Sequence, residues 1–183
     1  MGLYVDDDED SSVYLIYSSN ANGKGTNGAL RISKLTNDGL DIEIENVATG
    51  RGQLESPVIF KQDNKYTLMV SHTSGWASND NVYVQADSIA ELMNGSFSLF
   101  LAPEGTHTFD SQCHYAFPLS GVSGNYSNFV YMGDRYINPG LNNSEYCWTP
   151  INVTNSGVSL MDAHTWTFKN KEFVTQGSWN QEI

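Results

Sequence analysis

The chain has 183 residues, which is enough for one domain with a sizeable hydrophobic core or for two small domains. Its hydrophobic fraction of 39% and aromatic fraction of 12% are those of a folded protein and exclude a disordered chain. The net charge of -12 argues against nucleic acids and anionic membranes as partners, because basic surfaces bind both.

Short alternating apolar runs follow one another along most of the chain. They are rich in Val, Ile, Tyr and Phe and are bounded by Gly, Asn, Asp and Ser, as is typical of β-strands. The predicted strands lie at 11–19, 28–35, 40–47, 56–62, 65–72, 81–87, 112–120, 128–135, 146–153 and 164–174. One short helix is predicted over Ser88–Gly95. The sequence therefore predicts an all-β fold.

The predicted strands fall into three groups, which begin near Val13, Ser56 and His114. In each group an apolar strand pairs with a second strand across a polar turn, and a more polar outer strand follows. The groups recur at intervals of roughly 50 residues, a spacing that indicates repeated sheets such as the blades of a β-propeller. A β-sandwich has the same number of strands, so the spacing alone leaves both architectures open.

An acidic run precedes the first of these strands. It consists of Asp6, Asp7, Asp8, Glu9 and Asp10. We interpret it as a tight turn between two strands. A loose cation site is the weaker alternative, since the run lacks the glycine and the spacing of an EF-hand loop. We expect no metal and no other cofactor.

Cys113 and Cys147 are the two cysteines, and they allow one disulfide bond or two buried thiols. They do not have the spacing of a metal site. The sequence leaves the choice between the disulfide and the thiols open.

Glu55 lies two residues before Pro57, just ahead of a buried apolar run. One interpretation is a solvated glutamate at a strand end, as most glutamates are. The other is a general acid, because Pro57 fixes the local backbone and the apolar neighbours partly desolvate the carboxyl group. Desolvation raises the pKa of a carboxyl group and favours the protonated form that a general acid needs.

The segment Thr106–Pro118 is dense in polar groups directly before an apolar strand. The candidates there are His107, Asp110, Ser111, Gln112 and His114. A Ser-His-Asp triad is not favoured, because the chain has neither a Gly-x-Ser-x-Gly motif nor an oxyanion-loop signature. A metal site of two His and one carboxylate fits the composition, but the spacing does not favour it. Four aromatic residues are candidates for a sugar-stacking wall or for core packing, namely Trp76, Tyr115, Tyr136 and Trp148.

Five blocks of sequence, in order, resemble glycoside hydrolase family 43, and in particular its galactan β-1,3-galactosidase branch. They are "LYVDDDEDSSVYLIYSS", "LESPVIFKQDNKYTLMVSHTSGWASND", "THTFDSQCHYAFPL", "FVYMGDRY" and "YCWTPI". The resemblance implies a five-bladed β-propeller. About three blades of four-stranded antiparallel sheets are expected in this chain. It also implies an inverting exo-β-1,3-galactosidase that acts on galactan side chains or related plant polysaccharides.

The resemblance further implies roles for individual residues. Glu55, in "LESP", matches the general acid that protonates the departing glycosidic oxygen. Gln112, in "FDSQ", matches a glutamine near the attacking water, which could orient that water or act as a relay if it tautomerises. Thr73 and Trp76, in "HTSGW", match residues that contact the sugar. Asp134 and Arg135, in "GDRY", match a family block without an assigned role.

Family members carry an "Arg-Asp-Met" triplet before the strand that leads into "DDD", and its aspartate tunes the acid. In this chain Met1 stands where the methionine of that triplet is expected. We therefore expect residues 1–183 to be one domain, the C-terminal portion of a propeller catalytic domain, with little activity in isolation. The chain shows no signal peptide, yet the presumed parent is expected to be extracellular.

Besides a structural β-domain, two carbohydrate-related alternatives to the galactosidase remain open. One is another family 43 specificity, such as arabinofuranosidase or xylosidase activity, against which Gln112 argues. The other is a non-catalytic propeller that binds carbohydrate. In each case the expected partner is an oligosaccharide or polysaccharide, while the sequence leaves the oligomeric state open.

Overall fold

The computed structural model describes residues 1–8, 10–19, 29–49, 53–120, 129–170 and 172–179. Strands predominate in this part of the chain. They are β1 (Gly2–Val5), β2 (Val13–Ser19), β3 (Ala29–Leu35), β4 (Ile42–Thr49), β5 (Leu54–Gln62), β6 (Lys65–His72), β7 (Val82–Ala86), β8 (Leu99–Phe100), β9 (Gln112–Pro118), β10 (Phe129–Arg135), β11 (Glu145–Thr154), β12 (Gly157–Leu160), β13 (Thr165–Lys169) and β14 (Glu172–Gln176). Two helical turns, α1 (Ile89–Leu92) and α2 (His107–Asp110), and a 3₁₀ turn at Leu141–Asn143 complete the elements.

Among the described residues the strands form three four-stranded sheets and one two-stranded sheet. The strand orders are β1-β2-β3-β4, β5-β6-β7-β8 and β12-β11-β10-β9, and β13 pairs with β14. Neighbouring strands in the first and third sheets, the pair β5-β6 and the pair β13-β14 are antiparallel. In each four-stranded sheet the neighbouring strands are consecutive in the chain, so the first and third sheets are antiparallel meanders.

The chain divides into two compact units. The first contains Met1–Thr73 and Tyr83–Ser98, and the second contains Ser74–Val82 and Leu99–Ile183. In the first unit, the six central residues of β6 are all buried, as expected of a central strand covered on both faces. In the second unit, Tyr131 and Ile151 are fully buried in the core of the β9–β12 sheet.

The structure confirms the all-β prediction and the grouping of strands into sheets. The sequence did not predict the two-residue strand β8 or the short strand β12. Gly28 and Asn128, where two predicted strands begin, lie outside the described residues. The predicted helix is confirmed with shorter bounds, because Ser88 is its N-cap and accepts a hydrogen bond from the Glu91 amide at 3.3 Å.

The acidic run forms the predicted turn between β1 and β2. Asp8 fixes the turn, because its side chain accepts a hydrogen bond from the Ser12 amide at 2.7 Å and its carbonyl accepts one from the Ser11 amide at 3.0 Å. Glu9 lies outside the described residues. In the described part of the chain, no group of three or more His, Cys, Asp or Glu side chains could hold a metal ion. No helix there is long and apolar enough to cross a membrane.

Candidate functional site

Glu55 lies inside strand β5, although its sequence position indicated a residue ahead of the strand. β5 begins at Leu54, and Glu55 pairs with Ser71 of β6. The side chain of Glu55 is neither fully buried nor fully exposed. A carboxyl group in this position is fixed by the sheet and still accessible to a ligand.

A β-bulge directly follows Glu55. The β5-β6 register shifts between Glu55 and Val58, so that Ser56 and Pro57 stand opposite one residue of β6. Ser56 has a positive φ of 52°, and Pro57 has no amide hydrogen to give to the ladder. A bulge changes the direction of the neighbouring side chain, so the bulge in the "LESP" motif orients the side chain of Glu55.

Thr73 belongs to the same unit as Glu55. Its amide donates a hydrogen bond to the Gln53 carbonyl at 2.7 Å, at the end of the β5-β6 pair. Gln53 has a φ of 70°, so the chain turns sharply just before Glu55. The structure thus holds the Thr73 backbone at the end of the ladder that carries Glu55.

Gln112 is the first residue of strand β9 in the second unit, and a turn of unusual hand precedes it. The four residues of α2 have φ values between 51° and 57°, which makes α2 a left-handed turn. None of the four is glycine, and each non-glycine residue in this conformation costs about 1–2 kcal/mol. Backbone of this kind persists only where surrounding contacts enforce it, and it concentrates at functional sites.

The side chain of Asn81 holds the two residues that flank Gln112. It is fully buried, donates to the Ser111 carbonyl at 3.0 Å and accepts from the Cys113 amide at 2.7 Å. The backbone amide of Asn81 also donates a hydrogen bond to the Thr108 hydroxyl of α2 at 2.7 Å. Because these bonds hold the residues on both sides of Gln112, they fix the backbone from which the Gln112 side chain projects.

A small pocket in the second unit brings Trp76 and Gln112 together. Its volume is about 10 Å³, close to the space that one water molecule occupies. It is lined by Gly75, Trp76, Ala77, Ser78, Asn79, Asp110, Gln112, Asp134 and Tyr136. Trp76 is 52% exposed and presents its ring at the surface. The pocket therefore combines an aromatic face with amide, carboxylate and hydroxyl groups.

Tyr136 connects these groups. Its hydroxyl lies 3.4 Å from Gln112 Oε1 and 3.4 Å from Asp134 Oδ2. It can donate its single proton to either of these acceptors. Its ring packs edge-on against Trp76, with the ring centroids 5.3 Å apart at 74°. Asp134 Oδ2 also lies 3.2 Å from His114 Nδ1.

The other predicted polar residues of this segment do not form a triad. Ser111 is buried, and its hydroxyl is bonded to the Thr108 carbonyl at 2.6 Å and lies 2.9 Å from the Tyr131 hydroxyl. His107 Nδ1 lies 3.7 Å from Asp110 Oδ1, and both side chains are more than half exposed. Ser111 is therefore a structural hydroxyl.

The four aromatic candidates separate into different places. Trp76 and Tyr136 line the Gln112 pocket. Trp148 lines a second, open pocket in the same unit, together with Tyr146, His164, Thr165, Trp166 and Trp179. Tyr115 is 45% exposed on β9. Only part of the predicted wall therefore lies at the Gln112 pocket.

Cys113 and Cys147 are free, buried thiols, which resolves the choice that the sequence left open. Both pair with Gly133 of β10, one from each neighbouring strand. Desolvation by burial raises the pKa of Cys147 to about 12, which keeps this thiol protonated and unreactive.

Sequence reasoning missed Asn81 as the residue that holds the Gln112 backbone. Its contacts reach residues about 30 positions away, and "SNDNVYVQ" carries no local signal of them. Tyr136 was noted only as an aromatic. The block "GDRY" was the available signal, since Asp134 lies on the strand beside Gln112 and the Tyr136 hydroxyl follows directly after that strand ends.

Three solved structures that are similar to this chain act on β-1,3-linked galactose. The exo-β-1,3-galactanase of Phanerochaete chrysosporium, solved with galactose, is 31% identical at a TM-score of 0.82; the match covers 96% of this chain and 39% of that one. The exo-β-1,3-galactanase of Clostridium thermocellum is 28% identical at a TM-score of 0.70, covering 87% and 33%. A family 43 β-1,3-galactosidase solved with galactodeoxynojirimycin is 29% identical at a TM-score of 0.71, covering 88% and 45%.

The chain spans less than half the length of each of these three proteins. No family model matches it, and neither does any curated protein. The three solved structures that share the fold of this chain are glycoside hydrolases. Within that class, the chain has the galactanase-like fold of glycoside hydrolase family 43, as the five sequence blocks indicated.

Proposed function

We propose that the chain is part of an inverting exo-β-1,3-galactosidase that releases galactose from β-1,3-galactan side chains. The observation that carries this proposal is the similarity of 96% of the chain to an exo-β-1,3-galactanase solved with galactose. A variant of that enzyme was solved with β-1,3-galactotriose, and its similarity to this chain is equally extensive. A neutral oligosaccharide also suits an acidic chain, because such a ligand brings no charge to be repelled.

In this mechanism Glu55 is the general acid. It protonates the glycosidic oxygen as the bond to the anomeric carbon breaks, and the transition state resembles an oxocarbenium ion. Its position beside the bulge supports this role, because a donor must be held in one direction toward the leaving oxygen. Thr73 contacts the sugar in this proposal.

Gln112 orients the water that attacks the anomeric carbon from the opposite face. A neutral amide offers an acceptor oxygen and two N–H donors, so it can fix a water molecule without carrying charge. The size of the pocket beside Gln112 supports this role. Trp76 serves as the apolar platform on which the galactose ring stacks.

We further propose that residues 1–183 form one domain, the C-terminal portion of a family 43 β-propeller, in an extracellular parent. Each four-stranded sheet corresponds to one blade in this proposal. Two groups of half-exposed apolar side chains support it, because a closed propeller covers such sheet faces. In the first unit the group includes Leu3, Val5, Ile42 and Ile44, and in the second it includes Tyr115, Phe117, Tyr146 and Trp148.

Galactose release from β-1,3-galactooligosaccharides tests the activity. The chain is assayed alone and as a chimera in which it replaces the matching segment of the P. chrysosporium enzyme. We expect little turnover by the chain alone and galactose release by the chimera, with the α-anomer as the first product in an NMR time course. Turnover of the chain alone at the rate of an intact homologue would disprove the fragment proposal.

The variant Glu55→Gln tests the acid in the same chimera. We expect turnover of galactobiose to fall by about 10²- to 10⁴-fold. Dinitrophenyl β-galactoside should be affected much less, since its leaving group needs no proton. Glu104→Gln, at an exposed position, is the matched control and should leave both rates unchanged. A chimera that binds galactotriose without releasing galactose, or that prefers xylosides or arabinosides, would overturn the proposed activity.

A further inference from the structure

Tyr136 contacts both functional groups of the second unit's pocket. Its ring packs edge-on against Trp76, and its hydroxyl lies 3.4 Å from Gln112 Oε1. We propose that Tyr136 is a positioning residue that couples the sugar platform to the water-orienting amide. This inference rests on the proposed function of Gln112 and Trp76.

The bonds from the Asn81 side chain to the neighbouring backbone explain why Gln112 needs a positioning residue. They fix the chain on both sides of Gln112, so the remaining freedom is rotation about the side-chain bonds. Ordering a glutamine side chain costs up to about 2 kcal/mol of conformational entropy. A contact that orders it in advance removes that cost from the reaction step.

The Tyr136 hydroxyl also distinguishes the two ends of the Gln112 amide. An amide oxygen only accepts hydrogen bonds, and an amide nitrogen only donates them. When the hydroxyl donates its single proton to Oε1 instead of to Asp134 Oδ2, the oxygen end of the amide faces Tyr136.

Asp134 holds the Tyr136 hydroxyl in place. It pairs with Gln112 across the β9-β10 ladder, and its Oδ2 lies 3.4 Å from the Tyr136 hydroxyl and 3.2 Å from His114 Nδ1. The hydroxyl thus lies between two acceptors, the carboxylate and the amide oxygen. The two distances of 3.4 Å from the Tyr136 hydroxyl to its acceptors are at the long end for hydrogen bonds. Such long distances are common before a substrate tightens a site.

Two substitutions of Tyr136 separate the hydroxyl from the ring. Tyr136→Phe keeps the ring against Trp76 and removes the hydroxyl, so we expect kcat to fall by about 10- to 100-fold with KM nearly unchanged. Tyr136→Leu removes both contacts, and KM should then rise as well. Tyr115→Phe, which removes the hydroxyl of a half-exposed tyrosine of β9, is the matched control. These kinetics are measured in the chimera.

NMR of the chain alone tests the same inference without any activity. The side-chain amide signals of Gln112 are identified by their loss in Gln112→Glu, and the indole N–H signal of Trp76 by its loss in Trp76→Phe. We expect Tyr136→Phe to shift the Gln112 signals and leave the Trp76 signal, whereas Tyr136→Leu shifts both.

Gln112 signals that are the same in Tyr136→Phe and Tyr115→Phe would overturn the positioning role, as would an unchanged kcat. An inactive chimera whose Gln112 signals still respond to Tyr136→Phe would count against the proposed activity and leave the positioning contact standing. The two failures are therefore distinguishable.

Discussion

The two compact units bury polar groups in opposite ways. The first buries a charge: Asp6 is 5% exposed and accepts from the Tyr66 hydroxyl at 2.7 Å, while Lys61 Nζ lies 3.4 Å away. The second buries neutral groups: the Tyr131 hydroxyl lies 2.9 Å from the Ser111 hydroxyl, and Asn81 bonds to the backbone beside them. The first unit thus contains a buried ionic centre, and the second contains a buried neutral network.

The difference has a consequence for the candidate site. Gln112 lies between Ser111 and Cys113, so it projects from the neutral network. Burial raises the pKa of Tyr131 well above its ordinary value, so this hydroxyl stays protonated at neutral pH. A framework that does not change its charge keeps the Gln112 backbone in one place over a wide pH range.

The largest expected effect comes from Gly133→Ala in the second unit. A Cβ at Gly133 would lie 2.4 Å from Tyr131 Cε1, closer than any carbon contact can be. Tyr131 is fully buried and cannot move away freely, so we expect a loss of about 3 kcal/mol in the free energy of unfolding. Urea denaturation measures it.

Gly2→Ala in the first unit is the matched control. A Cβ at Gly2 would make ordinary contacts of 3.5 Å with Ile16. We expect a change of less than about 0.5 kcal/mol there. Equal losses in the two variants would show that the tight packing of Tyr131 is not what distinguishes Gly133.

The next effect comes from Asp6→Ala, which removes the ionic centre of the first unit. The Tyr66 hydroxyl, which is buried, would lose its acceptor, and Lys61 would lose one of its two carboxylate partners, Asp6 and Asp7. An unsatisfied buried donor costs about 1–3 kcal/mol. We therefore expect the free energy of unfolding, measured by urea denaturation, to fall by about 2 kcal/mol.

Asp87→Ala provides the comparison on the surface of the same unit. It breaks the ion pair with Lys65, at 2.6 Å between two side chains that are more than half exposed. Such pairs contribute about 0–1 kcal/mol. If Asp87→Ala costs as much as Asp6→Ala, burial is not what makes the Asp6 centre important.

Local sequence patterns were sufficient for most of the strands and insufficient for the geometry of the site. Val58–Phe60 and the buried run of β6 could be predicted because period and composition are local signals. The left-handed turn α2 could not, because "HTFD" contains no glycine and its contacts, such as that of Thr108 with Asn81, come from another part of the chain. Glu55 and Gln112 were candidates from their local sequence, and their proposed roles come from the resemblance, since no spacing rule assigns either role.

The smallest expected effect is the loss of stability at high pH that comes from the Cys147 thiol in the second unit. The folded pKa of Cys147 is about 12, above the value of about 8.5 for an exposed thiol. Because the folded state binds this proton more tightly, the stabilising contribution is fully present below pH ~8.5. It decreases as pH rises from there toward the folded value.

We expect the difference in unfolding free energy between pH 8 and pH 10 to be smaller in Cys147→Ala than in the unchanged chain. A thiol with these pKa values contributes about 1–2 kcal/mol of it. Urea denaturation at the two pH values measures the difference, and thiol labelling at pH 8 should modify Cys147 only after unfolding. If Cys147→Ala lost as much stability as the unchanged chain between these pH values, the alkaline sensitivity would lie elsewhere. The tyrosines of the ionic centre in the first unit would then be the candidates, because burial and the Asp6 carboxylate raise the pKa of Tyr4 and of Tyr66.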